Sequence, residues 1–346
     1  MGWDDQIPVL LLEYEEEYED YGDSSCYICG SSFVSGSSID YQIVKAWEWN
    51  TTKGESQFLA AQLEAMDMWM RPAWQTVHRM ILRDLANGTC RISGAAQGTG
   101  MGRESSCVPL NSDAGFIVDG HSDDTDVEPG WGIVRVPMLS PSEEPEQPTG
   151  LVGYPVHAVC WRLLMRCLGD RVAQDNLAAI LDLLRKHAAV TFEEAKVLPW
   201  HAQNPMRPKP LLKLLQSARA RGGQGDIQEG LKRPCRLSLP VEIQFMLLEL
   251  LPPRDAIALE EAMGWEVGNA FWRSQIPDEY FEVKELWDEN IGWRYLYGQL
   301  ESVDQAPGLV CRRQILSKIK QVGDGLKKHI GCQDPSSGPV VGETEP

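Results

Sequence analysis

At 346 residues, 43% of them hydrophobic, the chain is long enough for two domains and apolar enough to build real cores, which excludes a wholly disordered protein. Its formal net charge of −18 excludes a general nucleic-acid binder, because phosphate recognition needs a dominant cationic surface. No stretch reaches the ~20 apolar residues of a membrane span. The nine cysteines are an odd number and no export signal is evident, so they point to reduced thiols and metal ligands in the cytoplasm or nucleus.

The chain opens with a short apolar strand candidate, Ile7 to Leu12, which has no basic region before it and so does not read as a signal peptide. An acidic run from Glu13 to Asp20 follows and reads as a solvated face, making residues 1–25 an acidic N-terminal segment. Cys26-Tyr27-Ile28-Cys29-Gly30 is a CxxC knuckle, a spacing that turns two sulfurs and several backbone N–H groups toward one ion. From Gln57 to Asn87 the apolar residues recur at helical spacing: Phe58, Leu59, Leu63, Met66, Trp69 and Met70, then Trp74, Val77, Ile81, Leu82 and Leu85. Pro72 interrupts that pattern. Gly88 to Gly132 is rich in Gly, Ser and Asp and reads mostly as loop. Its glycine-rich part, Gly94 to Gly102, lacks a Walker lysine, and its acidic part, Asp119 to Asp126, lacks EF-hand spacing.

Ile133 to Met138 predicts a short strand, and Ser140 to Gly150 a Pro- and Glu-rich connection. Helices are expected over His157 to about Cys167 and from about Asp175 to Val190, the second with Leu177, Ile180, Leu181 and Leu184 on one face. His157-Ala158-Val159-Cys160 supplies a second ligand pair, since residues i and i+3 share a helix face. Together with the knuckle, Cys26, Cys29, His157 and Cys160 make a Cys3His set suited to Zn2+. Residues 30–156 lie between the two pairs. The open alternatives are ordinary buried thiols with a core histidine, a redox CxxC, or other ligands such as Cys90, Cys107, His121 or Cys167.

Leu211 to Ala218 suggests another helix, and residues 221–236 a Gly-rich linker closing a domain over 26–220. From Leu239-Pro240, with proline suited to the first helical position, a helix runs to the Pro252-Pro253 stop. Met246, Leu250, Ile243, Leu247 and Leu251 form one apolar stripe on its wheel, with Val241, Phe245 and Leu248 beside it. Only Glu242 and Glu249 make a clear polar strip, so the helix wants cover on two sides. A second helical segment with Ile257, Leu259 and Ala262 leads to Phe271-Trp272-Arg273. Helices follow over Glu279 to Leu300 and Val310 to Lys320, then a Pro- and Gly-rich tail over 331–346.

Residues 237–275 resemble an F-box, especially of the fungal type. The resemblance lies in the Leu239-Pro240 opening, the anchors Ile243, Leu247 and Leu251, Asp255 at the second helix and the Phe271-Trp272-Arg273 close. Glu261 and Met263 depart from the pattern, where the family has an apolar residue and commonly a serine. Gly153-Tyr154-Pro155-Val156-His157-Ala158-Val159-Cys160-Trp161, behind an early Cys-x-x-Cys-Gly, resembles a region upstream of the F-box in fungal members. The implied fold is α+β and mostly helical: a zinc-stabilised N-terminal region, the F-box-like hairpin and a helical C-terminal region over 276–330. The implied function is that of a non-enzymatic adaptor. Leu239, Pro240, Ile243, Leu247, Leu251 and Trp272 would meet a Skp-type adaptor of a cullin-based ubiquitin ligase, and the rest of the chain would present a target protein. A zinc-stabilised interaction scaffold with a purely internal hairpin is the alternative reading.

Overall fold

The computed structural model describes residues 25–31, 33, 58–65, 73–98, 105–118, 132–139, 149–195, 204–222, 239–286 and 290–331. The expected N-terminal strand, acidic run, Asp119–Asp126 loop and C-terminal tail, and most of the 221–236 linker, lie outside these residues. The mixture of helix and strand is that of an α+β protein. Contacts divide the chain into two compact units, one taking described residues within 1–67, 75–158 and 174–194, the other those within 68–74, 159–173 and from 195 onward.

The first unit is organised by β2, Val77–Asp84, the longest described strand. The helical spacing expected here is overturned. Residues 77–82 are all buried, and a strand buried on both faces shows a continuous apolar run that periodicity alone does not distinguish from a helix. Asn87-Gly88 turns the chain, with Gly88 at φ +72°, into β3, Cys90–Ile92, and β4, Ala95–Gly98, both antiparallel to β2. β5, Ser105–Pro109, and β6, Ala114–Val118, follow, so the described residues of the loop expected from Gly88 to Gly132 are largely strand. β6 runs parallel to β4 and pairs on its other side with β1, Phe58–Leu59.

β7, Ile133–Pro137, falls where a strand is expected and pairs with β5. β8, Leu151–His157, lies antiparallel along all of β2, with His78 opposite His157. Met80, Leu82, Ala96, Val108, Val136 and Met138 form one core of this unit. A second joins Ala60 and Leu63 of helix α1, Ala60–Ala65, to Val77 and Ala95. Gly94 is required where β3 passes into β4: a Cβ there would meet the Ala114 and Asn111 carbonyl oxygens at 2.3 and 2.6 Å. Chain continuity then gives α2, Ala158–Leu168, and α3, Asp170–Asp175, most of whose residues are grouped with the second unit, and α4, Leu177–Ala195, which returns to the first. Leu177, Ile180, Leu181 and Leu184 of α4 are buried as their spacing predicts. Arg83 of β2 pairs with Asp182 of α4 at 3.0 Å.

The second unit is helical. α5, Lys209–Gly222, buries Leu211, Leu214, Leu215 and Ala218. α6, Val241–Glu249, starts after Pro240, and Gln244 Nε2 donates to the Leu239 carbonyl at 2.8 Å. α7, Pro253–Met263, has proline in its first turn, where a missing N–H is harmless, and ends at Gly264 in the left-handed region, φ +64°. α8, Asn269–Ser274, α9, Phe281–Lys284, α10, Trp293–Asp304, and α11, Pro307–Gly331, complete it.

α10 is its spine: Trp293, Leu296, Tyr297 and Leu300 share a core with Leu248, Ala256, Phe271 and Trp272. That core also takes in Leu211, Leu215 and Ala218, so α5 packs with the F-box-like helices although the sequence groups it with residues 26–220. Two charge clusters brace the unit. Arg294 of α10 grips Glu260 and Glu261 of α7, and the wholly buried Arg312 of α11 grips Glu282 of α9 and the Pro205 and Glu279 carbonyls. Among the described residues, no helix is long and apolar enough to cross a membrane.

Candidate functional site

The CxxC knuckle is a tight turn. Gly30 N–H donates to the Cys26 carbonyl at 2.7 Å, Cys26 N–H to the Ser31 carbonyl at 2.9 Å, and Gly30 takes φ +80°. Tyr27 fastens the turn to the sheet. Its N–H donates to the Pro155 carbonyl of β8 at 3.0 Å, its hydroxyl donates to the Leu139 carbonyl at 2.9 Å, and its ring meets Tyr154 edge-on at 5.4 Å. This docking closes the long sequence gap between the ligand pairs. His157 is the last residue of β8 rather than helical as expected, and Cys160 lies in the first turn of α2. The two still converge, because the strand ends where the helix begins.

Cys26, Cys29, His157 and Cys160 are all buried, and their ligand atoms lie within 4.8 Å of one another. Cys29 Sγ is 3.3 Å from His157 Nδ1, so that ring nitrogen faces the sulfurs. Backbone N–H groups support two of the thiols: His157 N–H donates to Cys26 Sγ at 3.3 Å and Ser31 N–H to Cys29 Sγ at 3.4 Å. Burial alone would lower the His157 pKa, but the Cys26 and Cys29 sulfurs override it and raise it to about 10. The sulfurs thus favour positive charge at the ring, where a divalent ion can take the proton's place. Tetrahedral coordination by sulfur and nitrogen sets neighbouring ligand atoms roughly 3.5–3.8 Å apart; here Cys29 Sγ and His157 Nδ1 are 3.3 Å apart and no pair of the four ligand atoms exceeds 4.8 Å. The four residues therefore form a buried cluster that could hold a metal ion with every position filled by protein. Cys90, Cys107 and Cys167 stand outside this cluster, and His121 outside the described residues.

Two neighbours went unrecognised in the sequence. His78, opposite His157 on β2, is buried with Nε2 3.1 Å from Ser106 Oγ. Desolvation, reinforced by the charge of His157 and only partly opposed by the Thr76 backbone, lowers its pKa to about 4. Phe33 packs its ring 4.3 Å from the His157 ring and 5.9 Å from that of His78. Neither residue belongs to a recognisable motif; the β2–β8 register brings His78 to the cluster, and the chain leaving the knuckle brings Phe33.

The second feature is the outer face of α6. Leu248 is buried and Phe245 stacks on Phe271 at 4.8 Å, so these two residues of the second patch face the core. The stripe faces solvent: Ile243 is 41% exposed, Leu247 37%, Met246 58% and Leu250 80%, with Val241 at 50% beside it. Of the other residues expected at a partner surface, Pro240 is exposed and Leu239 and Leu251 are half-buried. Trp272 is corrected: it is wholly buried between Phe271 and Tyr297, where it supports the helices and offers no surface for docking. Met246 and Leu250, absent from the expected contact set, are the most exposed of the stripe. No family model matches the chain, no curated protein matches its sequence, and no solved structure matches its fold.

Proposed function

We propose that the chain is an F-box-type adaptor, a substrate receptor of a cullin-based ubiquitin ligase that docks through α6 on a Skp-type adaptor. The observation carrying this reading is the α6 stripe, with Ile243, Met246, Leu247 and Leu250 left in solvent by a helix whose opposite side is packed. Fully burying such a side chain contributes about 1.5–3 kcal/mol, so a few of them supply a useful docking energy. Pro240 and the Pro252-Pro253 pair fix where α6 and α7 begin, and Phe271 and Trp272 hold them from beneath. In this role the protein performs no bond chemistry. It raises the effective concentration of a target protein beside the charged ubiquitin carrier, in the cytoplasm or nucleus.

Zn2+ is the ion proposed for the Cys26, Cys29, His157 and Cys160 cluster. Thiolate and imidazole donors favour it over calcium or magnesium, and four protein ligands leave no open position for catalysis. Its part is to tie the knuckle to the β8–α2 junction. The cluster also favours a second reading, a zinc-stabilised interaction scaffold with no ubiquitin role.

Copurification with a Skp-type adaptor separates the two. The wild type forms a stoichiometric complex, and Ile243→Asp with Leu247→Asp abolishes it while leaving the melting temperature nearly unchanged, because both residues are solvent-facing. A complex that survives the double substitution removes the ligase reading. Metal analysis of the wild type and Cys29→Ser tests the ion; equal zinc in both removes it.

A further inference from the structure

We propose that Phe33 is an aromatic lid over the metal centre that sets the rate at which the ion is exchanged, an inference that rests on the metal reading above. The turn that positions Cys29 also delivers Phe33: Gly30 reverses the chain, Ser31 N–H donates to Cys29 Sγ, and the Phe33 ring comes down on the His157 imidazole at 4.3 Å with the planes inclined at 45°. His157, Cys26 and Cys160 are fully buried and Cys29 nearly so, whereas Phe33 is only half-buried. The ring thus has one part on a ligand and another in solvent, the position of a cover rather than of a core residue.

On its inner side the same ring meets His78 at 5.9 Å and 72°, and His78 is engaged by Ser106 Oγ. Phe33 therefore lays against both histidine rings a surface that neither ligates nor accepts hydrogen bonds. Dissociation of an ion from a closed four-ligand site needs water or a competing donor to reach a vacated position. A hydrophobic ring against the histidine ligand withholds that approach without adding to the ligand count. Its removal should speed exchange and leave the stoichiometry intact.

The test is chelator-driven release of Zn2+ from the full-length chain, compared among wild type, Phe33→Tyr, Phe33→Leu and Phe33→Ala. All four are expected to carry the same amount of zinc. Tyrosine, which keeps the ring, should release it at the wild-type rate, whereas leucine and alanine should release it at least about tenfold faster, the scale at which groups around metal ligands act. Wild-type release rates in the leucine and alanine variants, or equally fast release from the tyrosine variant, overturn the lid. Should the alanine variant fail to fold, the tyrosine–leucine pair gives the same reading. A role confined to packing would lower the melting temperature without separating ring-bearing from ringless variants in rate. A wild-type chain that holds no zinc defeats the metal centre itself, whatever Phe33 does.

Discussion

At the scale of single residues, the nitrogen that faces the sulfurs makes a prediction that the ligand set alone does not. His157 turns Nδ1 toward Cys29. The short side chains of Asp and Asn place a donor near the Nδ1 position, and the longer Glu and Gln place theirs near Nε2. His157→Asp should therefore keep most of the bound zinc, while His157→Glu should lose roughly tenfold or more in affinity, read by chelator competition. His78 gives a pH prediction. Its folded pKa of about 4 lies below its ordinary value of 6.5. The unfolded chain then binds a proton that the native state refuses, so stability is full above about pH 6.5 and is lost as pH falls toward 4. The loss is about 3 kcal/mol at most. His78→Gln, which can still reach Ser106, should flatten that dependence in denaturant titrations at a series of pH values. The four ligands were legible because cysteine and histidine spacing carries chemistry in the sequence itself. Phe33 and His78 were not, because a lone histidine acquires meaning only through strand register and a phenylalanine only through the ring that the folded chain sets it against.

At the scale of elements, some amphipathic helices were read correctly, whereas the helix expected over Glu279 to Leu300 divides into α9 and α10 and the buried strand β2 was taken for a helix. α4 announces itself through Leu177, Ile180, Leu181 and Leu184, and α6 through the stripe that begins at Ile243. β2 offered no such contrast: Met80, Ile81 and Leu82 are all at zero exposure, and burial on both faces erases the period-two signal. The turn that follows was the available clue, since Asn87-Gly88 between apolar runs is a hairpin signal. Gly94 shows how tightly the β3–β4 passage is built. Gly94→Ala should destabilise the fold by about 1–3 kcal/mol, because its Cβ would press on backbone oxygens that cannot rotate away. Thermal or denaturant unfolding of that variant checks the value, and wild-type stability would mean that the β3–β4 passage is looser than its geometry implies.

At the scale of the whole molecule, the mixture of helix and strand matches the α+β fold that the resemblance implied, but the grouping of elements was not legible. α5 belongs with the helices that follow it because Leu211, Leu215 and Ala218 find their partners on α10 and its neighbours. Sequence proximity and a Gly-rich stretch carry no record of which core a helix joins. The metal reading has a consequence at this scale. Zinc ligands bound only in the folded state add their binding energy to folding. Chelation should lower the melting temperature of the wild type by several degrees and leave Cys29→Ser almost unaffected; equal shifts in both would count against a specific ion.

The separation of the two ligand pairs along the chain also bears on how the protein is made. His157 follows Cys26 by 131 positions. At the usual pace of synthesis, roughly 5–20 residues per second, the knuckle waits about 7–26 s on the ribosome before its histidine even exists. For that interval the two thiols lack the β8 strand on which Tyr27 docks, and any ion they capture is held by half a coordination shell. Completion of the cluster is thus gated by translation of β8, and a chain stalled before residue 157 would hold the earlier strands but a knuckle without its second pair.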